Sequence, residues 1–396
     1  MAAHDVVVAG HICLDLTPKF RGQAAGSLSD ILAPGALVVV DECVVSTGGT
    51  VPNTGLALVK LGVDALLMGK VGEDAFGAMV VEKLAEYGRG DGIVRVPGEH
   101  TSYTVIVAPP GIDRMFLHHP GANDTFDHAD INYGAVAEAR VFHLGYPPLL
   151  RRTYEDGGET LAAMFEEAKN RGATTSLDMT MPDPNAASGR ADWEAILRRA
   201  LPHVDLFLPS AEEVLYCLDR PLFFELRARA EAEESTLTDL IPAARCGIMA
   251  ERLIDWGAGV VMLKAGHRGI YLRTADSGRL GDVGRAAPGD VSQWAGRELW
   301  APPYRVERVA SATGAGDCAV AGFLSAFLEG ESPERALRVA AAAGAENVTA
   351  HDAISGLSSY SELVGKLDSV PVGDAGLDGP DWQYDEPLYV WRGSSD

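Results

Sequence analysis

Hydrophobic positions along the chain follow two alternating patterns. Short apolar runs rich in β-branched residues begin at Val6, Ala65, Val141, Thr174, Val204 and Val260. Between them, apolar residues recur at helical spacing over residues 52–61, 76–87, 159–170 and 251–256. Continuous apolar strands joined by helices are typical of a parallel sheet that is covered on both faces. The pattern therefore predicts an α/β fold, a three-layer α/β/α sandwich with a mostly parallel central sheet.

Two stretches, residues 14–46 and 100–119, interrupt this alternation. The second alternates apolar and polar residues around a Pro-Pro-Gly turn, as a β-hairpin does. Together they predict a small β-flap that covers one edge of the sandwich as a lid. The sandwich and flap are expected to form one domain over residues 1–368, followed by a C-terminal extension over residues 369–396. Four aromatic residues of the extension are expected to pack against the body: Trp382, Tyr384, Tyr389 and Trp391.

Charge and composition indicate which kind of partner the protein binds and in which cellular compartment it is expected. Lys and Arg total 33 against 56 for Asp and Glu, a net charge of −23. This charge repels nucleic-acid phosphates and anionic membrane surfaces, so a small-molecule partner is expected, with no nucleic acid and no membrane. Five scattered cysteines without a C-x-x-C pair fit a reducing compartment. Because the chain also lacks a leader pattern and any run of roughly 18 to 20 apolar residues, a cytoplasmic location is expected.

Candidate chemistry is concentrated in the stretch VERVASATGAGDCAVAGF, residues 306–323, where one acid directly follows a turn of small residues. Apolar residues after Gly316 fall on one helical stripe that Gly330 ends, so Asp317 is predicted to lie in the first turn of a helix. Free backbone N–H groups and the positive end of the helix dipole meet there, and small residues let a phosphate come close. Acids are also favoured at helix starts without any function, which is the alternative interpretation.

An anion cradle beside a carboxylate is what phosphoryl transfer to an alcohol requires. The cradle stabilises charge on the transferred group, and the carboxylate accepts the hydroxyl proton. Other nucleotide and metal motifs are absent from the sequence. The stretch from Gly62 lacks the spacing and the Ser or Thr of a Walker A loop, no GxGxxG follows the first apolar run, and the pair His118-His119 has no H-E-x-x-H context. The sequence thus suggests a kinase that acts on an alcohol.

The chain resembles the ribokinase-like, or PfkB, family of carbohydrate kinases over residues 6–367. The stretch Thr313 to Asp317 resembles the C-terminal signature of that family, in which the turn formed by Gly314, Ala315 and Gly316 is the anion hole and the acid is the catalytic base. STGGTVPNTGLALVKLG, residues 46–62, resembles the Gly-Gly-x-x-x-Asn motif, and GKVGEDAFG follows at the usual interval. The resemblance implies a ribokinase-like fold and an ATP-dependent kinase that phosphorylates a hydroxyl of a carbohydrate.

Matching the motifs residue by residue implies a set of residues that bind the sugar. An acid and an amide can exchange hydrogen bonds with neighbouring hydroxyls, and glycines let a sugar ring approach the backbone. Asn53, which follows Pro52, could instead be a helix-start residue. The substrate-binding residues implied by the resemblance are Asp15, Gly48, Gly49 and Asn53.

The resemblance also implies residues for ATP and Mg²⁺. In LPSAEEV, Glu213 occupies the position that helps to hold magnesium and phosphate, although Ser210 replaces the usual asparagine and the pair could equally form a helix capping box. KAGHRGIYL resembles the strand-turn-strand that borders the nucleotide phosphates, and its alternative is a plain tight hairpin. The ATP-binding residues implied are Lys264, Gly266, Gly269 and Thr313.

Departures from the family pattern leave alternatives open. Ser311 stands where many members have an acid associated with a monovalent-cation site, so activation by K⁺ is left open. A nucleoside kinase of the same fold would keep every motif, and a sugar-phosphate kinase would need a basic residue near the acceptor, for which Arg114 is the candidate. A catalytically silent sugar-binding homologue could retain the fold without Ser210 and Ser311 matching the family. An exposed flap edge would allow a homodimer.

Overall fold

The computed structural model describes residues 4–21, 34–35, 37–112, 114–377 and 379–396 of the chain. Residues 22–33, 36 and 113 of the predicted flap, and residue 378 of the C-terminal extension, lie outside this description. The strands of the described residues are β1 Val6–Gly10, β2 Cys13–Phe20, β3 Val40–Gly48, β4 Ala65–Gly72, β5 Ile93–Val96, β6 Tyr103–Val107, β7 Met115–His119, β8 Val141–Gly145, β9 Thr174–Asp178, β10 Leu206–Phe207, β11 Val260–Lys264, β12 Ile270–Thr274, β13 Glu298–Ala301, β14 Trp382–Asp385 and β15 Val390–Gly393.

Helices alternate with these strands along the chain. None of those in the described ranges is both long and apolar enough to cross a membrane. They are α1 Thr50–Lys60, α2 Ala75–Ala85, α3 Tyr133–Glu138, α4 Glu159–Asn170, α5 Ala187–Arg190, α6 Trp193–Ala200, α7 Ala211–Leu218, α8 Arg220–Ala232, α9 Leu237–Leu240, α10 Ala243–Asp255, α11 Ser277–Leu280, α12 Val291–Trp294, α13 Ala315–Leu328, α14 Pro333–Asn347 and α15 Tyr360–Lys366.

The central sheet is mostly parallel, as predicted. Within the described residues its strand order is β14-β15-β13-β12-β11-β10-β9-β8-β1-β4-β5. Every pair from β5 to β11 is parallel, and the pairs from β11 to β14 are antiparallel. One face packs against α1, α2, α13 and α14, and the other packs against α4, α6, α7 and α10. The three-layer α/β/α sandwich is therefore confirmed.

Strand β1 shows why the central strands are continuous apolar runs. Its residues are fully buried, and successive side chains point to opposite faces of the sheet. Val6 and Val8 belong to the core on one face, whereas Val7 and Ala9 belong to the core on the other. Since both faces are covered by helices, every position of the strand has to be apolar.

The flap is a four-stranded sheet in the order β3-β2-β6-β7. Strands β6 and β7 form the predicted hairpin around the Pro-Pro-Gly turn, and β2 pairs antiparallel with β3 and parallel with β6. In this register Asp15 lies opposite Ser46 on one side and Thr104 on the other. Strand β2 follows closely after β1 in the chain, so Asp15 lies in the flap sheet and not in the central sheet.

The C-terminal segment is an integral part of the central sheet. Strand β15 pairs with β13, where Leu299 lies opposite Arg392. Trp382 of β14 packs edge-to-face on Tyr271 and Trp300, with ring centroids 6.1 and 5.9 Å apart. The predicted packing of the tail aromatics on the body is confirmed for Trp382, and the segment lengthens the sheet on its antiparallel side.

Candidate active site

Four strands of the central sheet end at the same edge. The last residues of these strands, or the residues that directly follow them, form one side of a polar site. Gly10, at the end of β1, pairs with Gly145 of β8, which in turn pairs with Asp178 at the end of β9. The chain then places Tyr146 directly after β8 and Lys264 at the end of β11. Because carboxyl ends of parallel strands lie side by side, residues far apart in sequence meet here.

Asp317 lies in the first turn of α13, as the sequence predicts. Helix α13 begins after Gly314, which has φ 75°, and a Cβ at that position would lie 2.5 Å from the carbonyl oxygen of Ala353. Only glycine fits this left-handed and crowded turn without strain. The turn thus fixes the helix start and buries Asp317, which is 3% exposed.

Hydrogen bonds hold the Asp317 carboxylate from three sides. Asn53 Nδ2 donates to Oδ2 over 3.1 Å, and Thr54 Oγ1 donates to Oδ1 over 3.0 Å. The Tyr146 hydroxyl lies 2.9 Å from Oδ1 and 2.8 Å from Oδ2. Burial raises the pKa of Asp317, while these hydrogen bonds and the Lys264 cation oppose the rise. Asn53, predicted to bind the sugar, therefore contacts the predicted base directly.

The anion cradle at the start of α13 has fewer free amides than the motif alone implies. The Ala315 N–H donates to the Ala312 carbonyl oxygen over 3.3 Å, so this amide is already used. The N–H groups of Gly316 and Asp317 have no acceptor within the described chain. A Cβ on Gly316 would lie 3.8 Å from Lys264 Nζ, so the Lys264 ammonium lies beside the cradle. Two amides and one cation face the same space.

Lys264 is held by Asp178, a residue that the sequence analysis missed. Lys264 Nζ lies 2.6 Å from Asp178 Oδ1, and both side chains are largely buried. Burial raises the pKa of Asp178 even though Lys264 opposes it. Burial also acts against the Lys264 charge, but Asp178 and Glu213 outweigh it and raise the pKa of Lys264. The available signal for Asp178 in the sequence was its position as an acid at the end of the predicted strand TTSLDM.

On the flap side, the predicted sugar-binding residues Asp15, Gly48 and Gly49 come together. A Cβ on Gly48 would collide with the Asp15 carboxylate, and a Cβ on Gly49 would collide with the His11 ring. Gly49 has φ 95° and precedes α1, so it is required by its backbone as well as by space. Burial raises the pKa of Asp15, a half-buried residue of the flap strand β2.

His11 is a second residue that the sequence analysis missed. It is 3% exposed, and neither ring nitrogen has a hydrogen-bond partner among the described residues. Its ring centroid lies 5.4 Å from that of His118 and 6.3 Å from that of Tyr146. Burial, with a contribution from His118, lowers the pKa of His11 to about 3. A neutral imidazole with one donor and one acceptor therefore lies between the flap and Tyr146.

Glu213 forms the capping box that the sequence left as an alternative. Its Oε2 accepts from the Ser210 N–H over 2.7 Å, and the Glu213 N–H donates to Ser210 Oγ over 3.2 Å. Within the described ranges, no group of three or more His, Cys, Asp or Glu residues is arranged to hold a metal ion. Mg²⁺ in phosphoryl-transfer sites takes one or two carboxylates together with substrate phosphates, and Glu213 Oε1 fits that smaller role.

The remaining ATP-binding candidates divide between two places. Gly266 and Gly269 form the tight turn between β11 and β12, with φ 54° and 96°, so the hairpin interpretation describes their backbone. A Cβ on Gly269 would collide with the Ala301 carbonyl oxygen of β13, which gives this glycine a packing role. Thr313 precedes the cradle, and its N–H donates to Ser311 Oγ over 3.1 Å.

Arg114 of the flap hairpin reaches this same turn. Its guanidinium donates to Thr313 Oγ1 and lies 3.5 Å from Ser311 Oγ. The flap and the helix start are therefore in direct contact through one exposed cation. A cavity of about 510 Å³ lies next to this segment, lined by residues that include Tyr304, Val306, Ala310, Ala342 and Ala345.

Comparison with solved structures identifies the fold. The fold is ribokinase-like: the structure of Arabidopsis thaliana ribokinase complexed with ribose and ATP matches with a TM-score of 0.65 at 20% identity, over 92% of this chain and 99% of that one. The structure of Xylella fastidiosa fructokinase with bound ATP matches with a TM-score of 0.64 at 20% identity, over 92% and 98%. At these identities the likeness establishes the fold alone.

The sequence comparison identifies the family. The profile of the pfkB family of carbohydrate kinases matches residues 3–359, so the chain belongs to this family. Fructokinase-1 of Oryza sativa subsp. japonica is 27% identical over 376 residues, covering 92% of this chain and 98% of the relative. The resemblance inferred from the two glycine-rich motifs is confirmed.

Proposed function

We propose that the protein is an ATP-dependent sugar kinase that transfers the γ-phosphoryl group of ATP to a hydroxyl of an uncharged carbohydrate. The observation that carries the proposal is the placement of Asp317 beside the amides of Gly316 and Asp317 and the ammonium of Lys264. A base and an anion cradle within one helical turn supply the two groups that phosphoryl transfer to an alcohol needs. The family assignment supports the carbohydrate class.

In the proposed reaction each group of the chain has one task. Asp317 accepts the proton of the acceptor hydroxyl as its oxygen forms a bond to the γ-phosphorus, and the bond from that phosphorus to ADP breaks. The two cradle amides and Lys264 hold the oxygens of the moving phosphoryl group. Glu213 would help to hold Mg²⁺, which would supply charge neutralisation for the phosphates. The flap excludes water, with Arg114 bridging to Thr313.

We assign the nucleotide to the cavity beside the signature turn. The cavity of about 510 Å³ beside Tyr304, Ala310 and Ala342 is of a size that accommodates a nucleoside. Because Ala310 in its lining lies three residues before Thr313, we propose that a bound triphosphate extends from this cavity towards Lys264 and the cradle. Ser311 contributes a hydroxyl rather than a carboxylate at the position linked to monovalent cations, so we propose that K⁺ is not required for turnover.

Among the described residues the acceptor pocket is polar, and its nearby cation Lys264 is paired with Asp178. Asp15 and the neutral ring of His11 offer hydrogen-bond donors and acceptors that match hydroxyl groups. Arg114, the basic residue needed by a sugar-phosphate kinase, bonds instead to Ser311 and Thr313. These contacts favour an uncharged polyol over a sugar phosphate.

Replacing His11 by Phe should weaken the binding of the acceptor sugar without affecting the binding of ATP. Phenylalanine keeps an aromatic ring at this position but removes both nitrogens, which have no hydrogen-bond partner among the described residues that would be left unsatisfied. We expect the KM for the acceptor to rise about threefold to tenfold, the value of one neutral hydrogen bond, with the KM for ATP unchanged. Steady-state kinetics with each substrate varied in turn will measure this. An unchanged acceptor KM would exclude His11 from the sugar site.

The pH dependence of turnover should follow the Asp317 carboxylate. Asp317 acts only when ionised, so kcat/KM should fall as the pH drops through its pKa. Because burial raises that pKa, the fall should begin at a higher pH than for an exposed aspartate. A pH–rate profile, with circular dichroism at each pH to show that the chain stays folded, will test the expectation. A flat profile down to the ordinary aspartate range would contradict it.

A nucleoside kinase remains the second candidate, because its motifs would be the same. A coupled ADP assay with fructose, ribose and adenosine as acceptors will distinguish the two. Phosphorylation of adenosine alone would overturn the sugar assignment, and calorimetric sugar binding without ADP release would indicate a silent sugar-binding protein.

We also propose that the exposed flap edge, where Phe116 and Leu117 of β7 are 58% and 59% exposed, pairs two copies of the chain. The cytoplasmic location stays a prediction.

A further inference from the structure

The Tyr146 hydroxyl lies where an acceptor hydroxyl would have to lie. A hydroxyl that gives its proton to Asp317 must approach the carboxylate within hydrogen-bond distance. Tyr146 already does so, at 2.9 and 2.8 Å from the two carboxylate oxygens. Burial and the Asp317 charge raise the pKa of Tyr146, so its hydroxyl keeps its proton and donates.

The other two donors to Asp317 leave little room for a fourth group. Thr54 donates to one oxygen and Asn53 donates to the other, and both residues belong to the buried helix α1. The Tyr146 hydroxyl then bridges both oxygens from the remaining side. An incoming hydroxyl can form a hydrogen bond to Asp317 only if the Tyr146 hydroxyl releases at least one of the two carboxylate oxygens.

The backbone of Tyr146 is held in an unfavourable conformation that aims the side chain at Asp317. Tyr146 has φ 63° and ψ 44°, a left-handed conformation that is uncommon for residues other than glycine, asparagine and aspartate. Pro147 follows it, and the Tyr146 N–H donates to the Asp178 carbonyl oxygen over 3.3 Å. Such strain persists only where the surrounding structure imposes it, and it is often found at functional sites.

We propose that Tyr146 is the residue that makes this kinase select an alcohol over water as the phosphoryl acceptor. Water is the smallest hydroxyl donor, and it would otherwise occupy the position next to Asp317 in the absence of a sugar. The phenol hydroxyl fills that position and uses both carboxylate oxygens. A polyol can displace it because further hydroxyls bond to His11 and Asp15, whereas water has no such contacts. The inference rests on the proposed kinase function.

Tyr146→Phe should convert part of the activity into ATP hydrolysis. Phenylalanine keeps the ring and leaves a space of one hydroxyl beside Asp317, which a water molecule can fill. We expect acceptor-free ADP formation to rise about tenfold to a hundredfold, part of the usual range for a positioned base, while acceptor-dependent turnover changes less. Adding Asp317→Asn to this variant should return hydrolysis to the wild-type level, because the water needs the same base.

Controls separate this role from a structural one. Tyr216→Phe also removes a tyrosine hydroxyl, one that donates to the Gly189 carbonyl oxygen over 2.9 Å, and it should leave acceptor-free ADP formation unchanged. Tyr146→Asn, a residue type that tolerates the left-handed backbone, is the second variant if the Phe variant does not fold, and it should raise hydrolysis as well. Circular dichroism and thermal unfolding of each variant will show that the fold is intact.

The outcomes distinguish the inference from the function on which it rests. Sugar-dependent ADP formation by the wild type, with no gain of hydrolysis in folded Tyr146 variants, overturns the inference and leaves the kinase function standing. No ADP formation by wild type or variants, with or without acceptors, overturns both. Mass spectrometry that finds a phosphoryl group on Tyr146 of the wild type would also overturn the inference, because the residue would then itself be an acceptor.

Discussion

Turnover with the acceptor sugar should fall about 10²- to 10⁴-fold in the Asp317→Asn variant, the usual contribution of a positioned base. Asparagine has the shape of aspartate but cannot accept the proton of the acceptor hydroxyl. Acceptor and nucleotide KM values should change little, since Asp15, His11 and the cradle amides remain in place. Steady-state kinetics with a coupled ADP assay will measure the loss.

The alternative for Asp317 is an acid that merely stabilises a helix start, and a matched variant tests it. Glu159 is the acid in the first turn of α4, where it is exposed and pairs with Arg199 over 3.3 Å. Glu159→Gln should leave turnover unchanged, because it removes only the favourable charge at the helix N-terminus and this surface ion pair. If Asp317→Asn retained near-normal turnover, as Glu159→Gln should, Asp317 would not be the base.

Lys264→Met should lower kcat about 10²- to 10³-fold, the loss that follows removal of one group that stabilises transition-state charge. The methionine chain fills the space of the lysine stem but carries no charge beside Gly316. It also leaves Asp178 buried without its partner at 2.6 Å, which should destabilise the fold by about 3–5 kcal/mol. Denaturant unfolding and kinetics on the same samples will measure both effects.

A double variant separates these two consequences of Lys264. Asp178→Asn combined with Lys264→Met removes the unpaired charge, so stability should recover while kcat stays low. Lys70→Met is the matched control, because Lys70 is also buried and its ammonium pairs with Asp130 over 3.3 Å rather than with Asp178 or Asp317. It should lose stability but not activity per folded molecule. A double variant with wild-type kcat would show that Lys264 only balances the charge of Asp178.

Elements whose apolar residues form a regular local pattern could be predicted closely from the sequence. The apolar runs from Val6 and Ala65 form strands with the predicted bounds, and the helix over residues 159–170 is found without change. The run from Val204 gave a shorter strand, Leu206–Phe207, because the residues before it close a 3₁₀ turn and those after it lead into α7. Local periodicity fixes such elements, whereas their ends depend on neighbours.

The candidate site could be predicted only in the segments that carry a motif. The helix start at Asp317 and the glycines near Asp15 follow from small residues at fixed spacing, which are visible in the chain itself. Tyr146 and His11 have no such pattern, since a single aromatic residue after a buried strand is most often part of the core. Their role depends on what lies opposite them across the site.

The sequence by itself determined the layers of the sandwich, the flap, the helix that begins before Asp317 and the family. Each of these depends on residues that are neighbours in the chain or recur at a regular spacing. The tertiary structure alone decided which groups meet Asp317. Asn53 is 264 residues away and Tyr146 is 171 residues away in sequence, and they contact it because parallel strands end at one edge of the sheet. Side-chain contact across that edge has no local signal, so only the folded chain reveals it.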